Sequence, residues 1–145
     1  MKIFSNRLPA MMKKMWIYTP SKMPKPKVPD RIRDEVQAKA DHLIESEFNR
    51  AHIKHPKKDE QFSYIVDIYA KWYRNYFHFI AKYRCPALDC ISEFFERKFV
   101  RLEYIGNNRF TLSYMRHTGQ WWELYTDLTL EQCLEAIRDE PHFLP

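Results

Sequence analysis

From Phe62 onward the chain alternates apolar and polar positions, whereas before it the apolar residues recur every three or four. That change of period divides the chain into two kinds of element. In the earlier stretch Ile32, Val36, Ala40, Leu43, Ile44 and Phe48 fall on one helical face, with Arg33, Asp34, Lys39, Asp41, Glu45 and Arg50 opposite. The spacing predicts an amphipathic helix over about 31–49, capped by Asp30 behind Pro29. His55-Pro56-Lys57-Lys58-Asp59 then reads as a solvated link.

The period of two predicts strands over 62–73 and 76–85, joined at Arg74-Asn75 so that Tyr73 faces Tyr76. One face of this hairpin collects Phe62, Tyr64, Val66, Ile68, Ala70, Trp72, Phe77, Phe79, Ala81, Tyr83 and Cys85. The other collects Ser63, Asp67, Lys71, His78, Lys82 and Arg84 among tyrosines and two isoleucines, Ile65 and Ile80, with Asp67 across from Lys82. Residues 86–95 read as a loop or short helical turn, and a third strand as about 98–105.

Gly106-Asn107-Asn108 tolerates positive φ throughout and predicts a three-residue loop, which sets Val100, Leu102 and Tyr104 beside Phe110, Leu112 and Tyr114. His117-Thr118-Gly119 repeats the logic, pairing Tyr114 with Trp122 and Leu112 with Leu124. The outer face then carries Phe99, Arg101, Glu103, Thr111, Ser113, Met115, Trp121, Glu123 and Tyr125, with Arg101, Ser113 and Glu123 in one row. Thr129-Leu130-Glu131-Gln132 fits a capping box, with Leu128 and Cys133 as its hydrophobic staple. Leu130, Cys133, Leu134 and Ile137 share one face of that helix, and Pro141 ends it. The fold class that results is α+β: an antiparallel meander of about five strands, an N-terminal amphipathic helix and a short C-terminal helix. The long helix covers one face of the sheet, and the short one is expected at an edge or on the other face.

Charge changes the picture along the chain. Residues 1–29 hold seven Lys and Arg and no acid, leaving 17 basic against 19 acidic residues in 30–145, a net −2 there. The basic balance therefore belongs to a Pro-rich arm, 1–29, expected to be flexible, and not to the domain, 30–145. Four methionines by position 15 suggest that translation starts later than Met1. Within the domain, residues 71–116 carry nine bases against four acids, and residues 117–145 one base against six acids. Opposite charge in successive segments suggests internal pairing over a track for nucleic acid.

Two glycines are too few for a phosphate-cradling loop of the GxGxxG or GxxxxGK[ST] kind. Cys85, Cys90 and Cys133 are odd in number with no secretory signal, which predicts free thiols and a cytoplasmic address. No apolar run approaches the length of a membrane span, so no membrane is expected.

The segments KWYRNYFHFIAKYRCP (71–86), KFVRLEYIGNNRFTLSYMRHTGQWWELY (98–125) and LTLEQCLEAIRDEP (128–141) resemble an uncharacterised family of bacterial domains of unknown function. The likeness covers roughly 30–141 and is most specific at YMRHTGQWWELY. It implies a compact bacterial α+β domain and transfers no functional residue.

Candidate chemistry is sparse. His52, His55, Cys85 and Cys90 lack the tight spacing of a zinc site, so neither metal nor cofactor is expected. No nucleophile elbow is present. Glu123 with Arg101, Glu103 and His117 is the one acid–base constellation, and a structural Arg101–Glu123 pair explains it more simply. Tyr69, Tyr73, Tyr76, Trp121 and Tyr125, with Arg74, His78, Lys82, Arg84, Arg101 and Glu123, make up the candidate binding face. The expectation is a non-enzymatic binding or accessory module that contacts a protein partner, or a second copy, through this face. The alternative is a nucleic-acid module using the basic arm with Arg74, His78, Lys82 and Arg84. A small-molecule enzyme centred on Glu123 comes third.

Overall fold

The structure is a computed structural model that describes residues 26–53 and 62–145. The start-codon expectation, the solvated link and most of the arm lie outside the described residues. A helix begins as α1 (Asp30–Leu43), passes through a π turn (Ile44–Phe48) and ends as α2 (Asn49–His52). Five strands follow: β1 (Tyr64–Tyr73), β2 (Tyr76–Arg84), β3 (Phe94–Gly106), β4 (Arg109–Met115) and β5 (Trp121–Leu128). They pair in sequence order as one antiparallel meander. The chain closes with α3 (Leu130–Asp139) and a 3₁₀ turn (Pro141–Phe143).

The helix turns Ile32, Val36, Ala40 and Leu43 toward the sheet. In its π turn the hydrogen bond spans one residue more than in an α-helix, as Asn49 N–H donates to the Ile44 carbonyl, and both Ile44 and Phe48 are buried there. Phe48 meets Phe79 and Phe99 edge to face, at centroid distances of 6.4 and 6.0 Å. Two expectations change at the start of the helix. Asp30 is its first residue and not its cap; Pro29 occupies the cap position without a side-chain bond. The end of the arm also belongs to the fold, because Val28 is buried in the core and the Pro26 carbonyl accepts from Asn75 Nδ2 at 2.7 Å. A valine beside this apolar face loses more in water than it gains in freedom.

Most predicted registers hold, and every departure is a β-bulge. Tyr73 faces Tyr76 and Asp67 faces Lys82, but the register slips at Val66. Past that point Ile65 packs on the core, Tyr64 accepts a bond from Arg84 on the outer face, and Phe62 is exposed. A slip at Phe99 sends that ring into the core beside Phe79, where it was expected outside. Asn107 and Asn108, both at positive φ, make a two-residue turn that pairs Gly106 with Arg109. Ile105 is the bulge there, and it restores the expected pairing of Tyr104 with Phe110 and Leu102 with Leu112.

The β4–β5 pairing slips twice, at Thr126-Asp127 and at Leu124; the second makes Leu112 face Tyr125, not Leu124, and Tyr125 leaves the outer face. Its hydroxyl donates to Glu140, at the end of α3, at 2.8 Å. Trp122 does pair with Tyr114, but at the sheet margin it is 50% exposed, with Arg116 over its ring. The third strand also starts at Phe94, four residues earlier than expected, and pairs back to Arg84.

The capping box of α3 is complete: Gln132 N–H donates to Thr129 Oγ1 and Thr129 N–H to Gln132 Oε1, at 3.2 and 2.9 Å. The position of α3 differs from the expectation. Leu130, Cys133, Ala136 and Ile137 share one core with the residues of α1, and Lys39 of α1 pairs with Glu131 of α3. Both helices therefore lie on the same face of the sheet. The sheet is wide enough for two helices side by side, and Phe143 and Tyr114, 6.1 Å apart, fill the corner beyond them.

The cysteine expectation also changes. Cys85 and Cys90 are joined as a disulfide with Cα atoms 6.3 Å apart, across a loop that Cys85 N–H closes onto the Glu93 carbonyl at 2.7 Å. The argument from free thiols to a reducing compartment therefore no longer holds for this pair. Cys133 is free and buried, and burial pushes its thiol up to about 12, so it stays protonated. Among the described residues no helix is long and apolar enough to cross a membrane.

Candidate functional site

With both helices on one side, no described helix covers the opposite face of the sheet. A single row of side chains crosses it through all five strands: Lys71, His78, Arg101, Ser113 and Glu123, each facing the next. The expected three-residue row is thus part of a longer one. It does not contain the expected ion pair. Ser113 stands between Arg101 and Glu123, and Arg101 packs against rings: its guanidinium carbon lies 4.7 Å from the centroid of Tyr76 and 4.8 Å from that of Trp121.

The rings report the shape of this face. His78 on β2 and Trp121 on β5 belong to strands separated by two others, yet their centroids are 5.7 Å apart. A flat sheet spaces such strands by roughly 14 Å, so the sheet curls around its outer face. Bulges bend strands and increase twist, and five register slips occur here. The curl also explains how His78, Ile80, Thr111 and Ser113 are buried on a face without a described helix over it.

Charge in the concavity is local. Burial first, then Lys98, Arg101 and Lys71, lowers the His78 pKa to about 4, so the ring is neutral at neutral pH. His78 Nδ1 and Arg101 Nε are buried without a hydrogen-bond partner. Farther along the face, Tyr69 donates to Glu96 at 2.6 Å, and burial with this bond pushes its hydroxyl up to about 12. Lys82 lies opposite Asp67 and Glu96 and 4.8 Å from the ring of Phe94.

The remaining candidates scatter. Arg84 is held by Glu93 at 3.0 Å and by Tyr64 at 3.1 Å. Arg74 occupies the β1–β2 turn at φ 56°, over the exposed ring of Tyr73. Arg74, His78, Lys82 and Arg84 therefore do not form one track. Glu123 and His117 are exposed. Tyr125 belongs to the helix side. Sequence reasoning missed the parts played by Lys98 and Glu96, which the pairing of β2 with β3 supplies and the early start of β3 hid; Lys71 it placed on this face but did not count among the candidate binding residues.

A groove of about 630 Å³ lies between α1 and α3, on the opposite side of the sheet, lined by Lys39, His42, Leu43, Leu134 and Arg138 among others. It holds none of the predicted site residues.

A family model described as Domain of unknown function (DUF3024) matches residues 24–145. No curated protein and no solved structure matches the chain. The matched span covers most of the chain, so the chain belongs to the DUF3024 family.

Proposed function

We propose that this member of the DUF3024 family is a non-enzymatic binding module that contacts a protein partner through the concave outer face of its sheet. The observation that carries the reading is Arg101 held between Tyr76 and Trp121 on the face opposite both helices. Trp, Tyr and Arg are the residue types that dominate binding energy where proteins meet. Their stacking also lowers the entropy lost when a partner fixes them.

The mixture of charge favours a protein over a polyanion. Lys71, Lys82, Lys98 and Arg101 alternate with Asp67, Glu96, Glu103 and Glu123 on this face. A nucleic-acid backbone presents a negative charge at every step and gains from an unbroken basic track. A setting in the bacterial cytoplasm is part of the proposal.

Photo-crosslinking in the cell tests it. A benzophenone side chain at Tyr69 or Tyr73 should give a discrete adduct with a second protein, while one at Ser46 or Glu135 on the helix side should not. Adducts confined to the helix side, or none at either side, overturn the proposal.

A further inference from the structure

We infer that the partner is recognised by a carboxylate side chain, set among apolar neighbours, that docks on the Arg101 guanidinium between Tyr76 and Trp121. The inference rests on the reading of the outer face as a protein-binding surface and names the chemistry that the face selects.

Three observations meet at this point. Arg101 Nε and His78 Nδ1 are buried without hydrogen-bond partners, although such groups are nearly always satisfied in folded proteins. A carboxylate oxygen accepts from both once His78 carries its proton on Nδ1. The local field is positive as well: the charges acting on His78 are those of Lys98, Arg101 and Lys71. Tyr76, 4.7 Å away, stacks on the guanidinium and holds it in plane, and the guanidinium N–H groups suit a planar oxyanion better than a mobile ammonium does.

The surroundings limit the ligand to one charge. Glu103 faces Tyr76 one row away, and Glu123 lies two strands from Arg101 in the same row. A second anionic group beside the first meets these carboxylates, while an apolar neighbour meets Met115, Tyr73 and Trp121. Trp121 sits on the edge strand β5 and is half-buried; in the inferred complex its ring moves aside so that a carboxylate reaches the buried nitrogens, while Tyr76 stays on Arg101.

Titration of the full chain, followed by the Arg Nε–H and Trp indole NMR signals, tests this with the blocked peptide Ac-Leu-Glu-Leu-NH2, its Gln counterpart and a single-stranded oligothymidylate. The Glu peptide should shift the Arg101 and Trp121 signals saturably, and at least about tenfold more tightly than the Gln peptide, the difference a charge-assisted bond makes. Arg101→Met should abolish the response. Lys98→Gln, an exposed change that spares the fold, should weaken it. Equal binding of the Glu and Gln peptides, or an unaltered response in both variants, overturns the inference. Tighter binding of the oligothymidylate at the same signals overturns it in favour of nucleic acid. The crosslinking experiment reads contact at Tyr69 and Tyr73 whatever the partner's charge, so a failure of the carboxylate is distinguishable from a failure of the face.

Discussion

The guanidinium carbon of Arg101 lies 4.8 Å from the ring centroid of Trp121, although the two residues sit on strands separated by β4. The contact closes the concavity and should contribute to stability as well as to recognition. A double-mutant cycle with Arg101→Met and Trp121→Leu should give a coupling of about 0.5–2 kcal/mol in urea unfolding, the range of a partly desolvated cation–π contact. A coupling near zero contradicts the contact.

His78 makes stability depend on pH. Its pKa in the fold is about 4, while in the unfolded chain it returns to the ordinary histidine value. Between those two values the unfolded chain binds a proton that the fold refuses. Stability from this source is complete above about pH 6.5 and declines as pH falls toward about 4, by at most about 3 kcal/mol. His78→Gln removes the titration. Denaturant melts at neutral and acid pH should show a shallower acid loss in the variant than in the parent; equal losses contradict the assignment.

The bulge that carries Phe99 inward has an energetic signature. Phe99→Ala should cost about 3–5 kcal/mol, as for a core aromatic. An exposed aromatic on the outer face would cost under about 1 kcal/mol. The urea midpoint separates the two.

At the start of α3, Thr129→Ala removes the acceptor for the Gln132 amide. The loss should be about 1 kcal/mol in thermal or urea unfolding, with Thr129→Ser retaining most of the stability. If Thr129→Ala and Thr129→Ser behave alike, the cap does not stabilise the helix.

The meander, the hairpin at Tyr73 and Tyr76 and the capping box were legible because each depends on local spacing. The bulges were not, because a two-residue period cannot announce one extra residue. A partial signal exists for four of the five: apolar doublets stand at Ile65-Val66, Phe99-Val100, Tyr104-Ile105 and Leu124-Tyr125, whereas the slip at Thr126-Asp127 has none, and Phe94-Phe95 and Trp121-Trp122 are doublets without a slip. Reading those four as bulges returns Phe99 and Tyr125 to the helix side. The placement of α3 beside α1 was less accessible, since its apolar stripe fits either face equally well. The His78–Trp121 contact depends on the summed curl of several strands, which no local pattern encodes. The disulfide depends on the path of the 85–93 loop, and Cys85 was assigned by alternation alone.

Cysteine labelling tests the recognition face most directly. In a Cys85→Ser, Cys90→Ser background the remaining cysteine, Cys133, is buried, so an introduced thiol is the reactive one among the described residues whatever the redox state of the compartment. Glu123→Cys places it on the outer face and Glu135→Cys on the exposed side of α3. Both should react readily with a maleimide in the purified protein, and inside the cell Glu123→Cys alone should become slow. Equal rates inside the cell, or protection of Glu135→Cys instead, contradict the outer face as the surface that meets a partner.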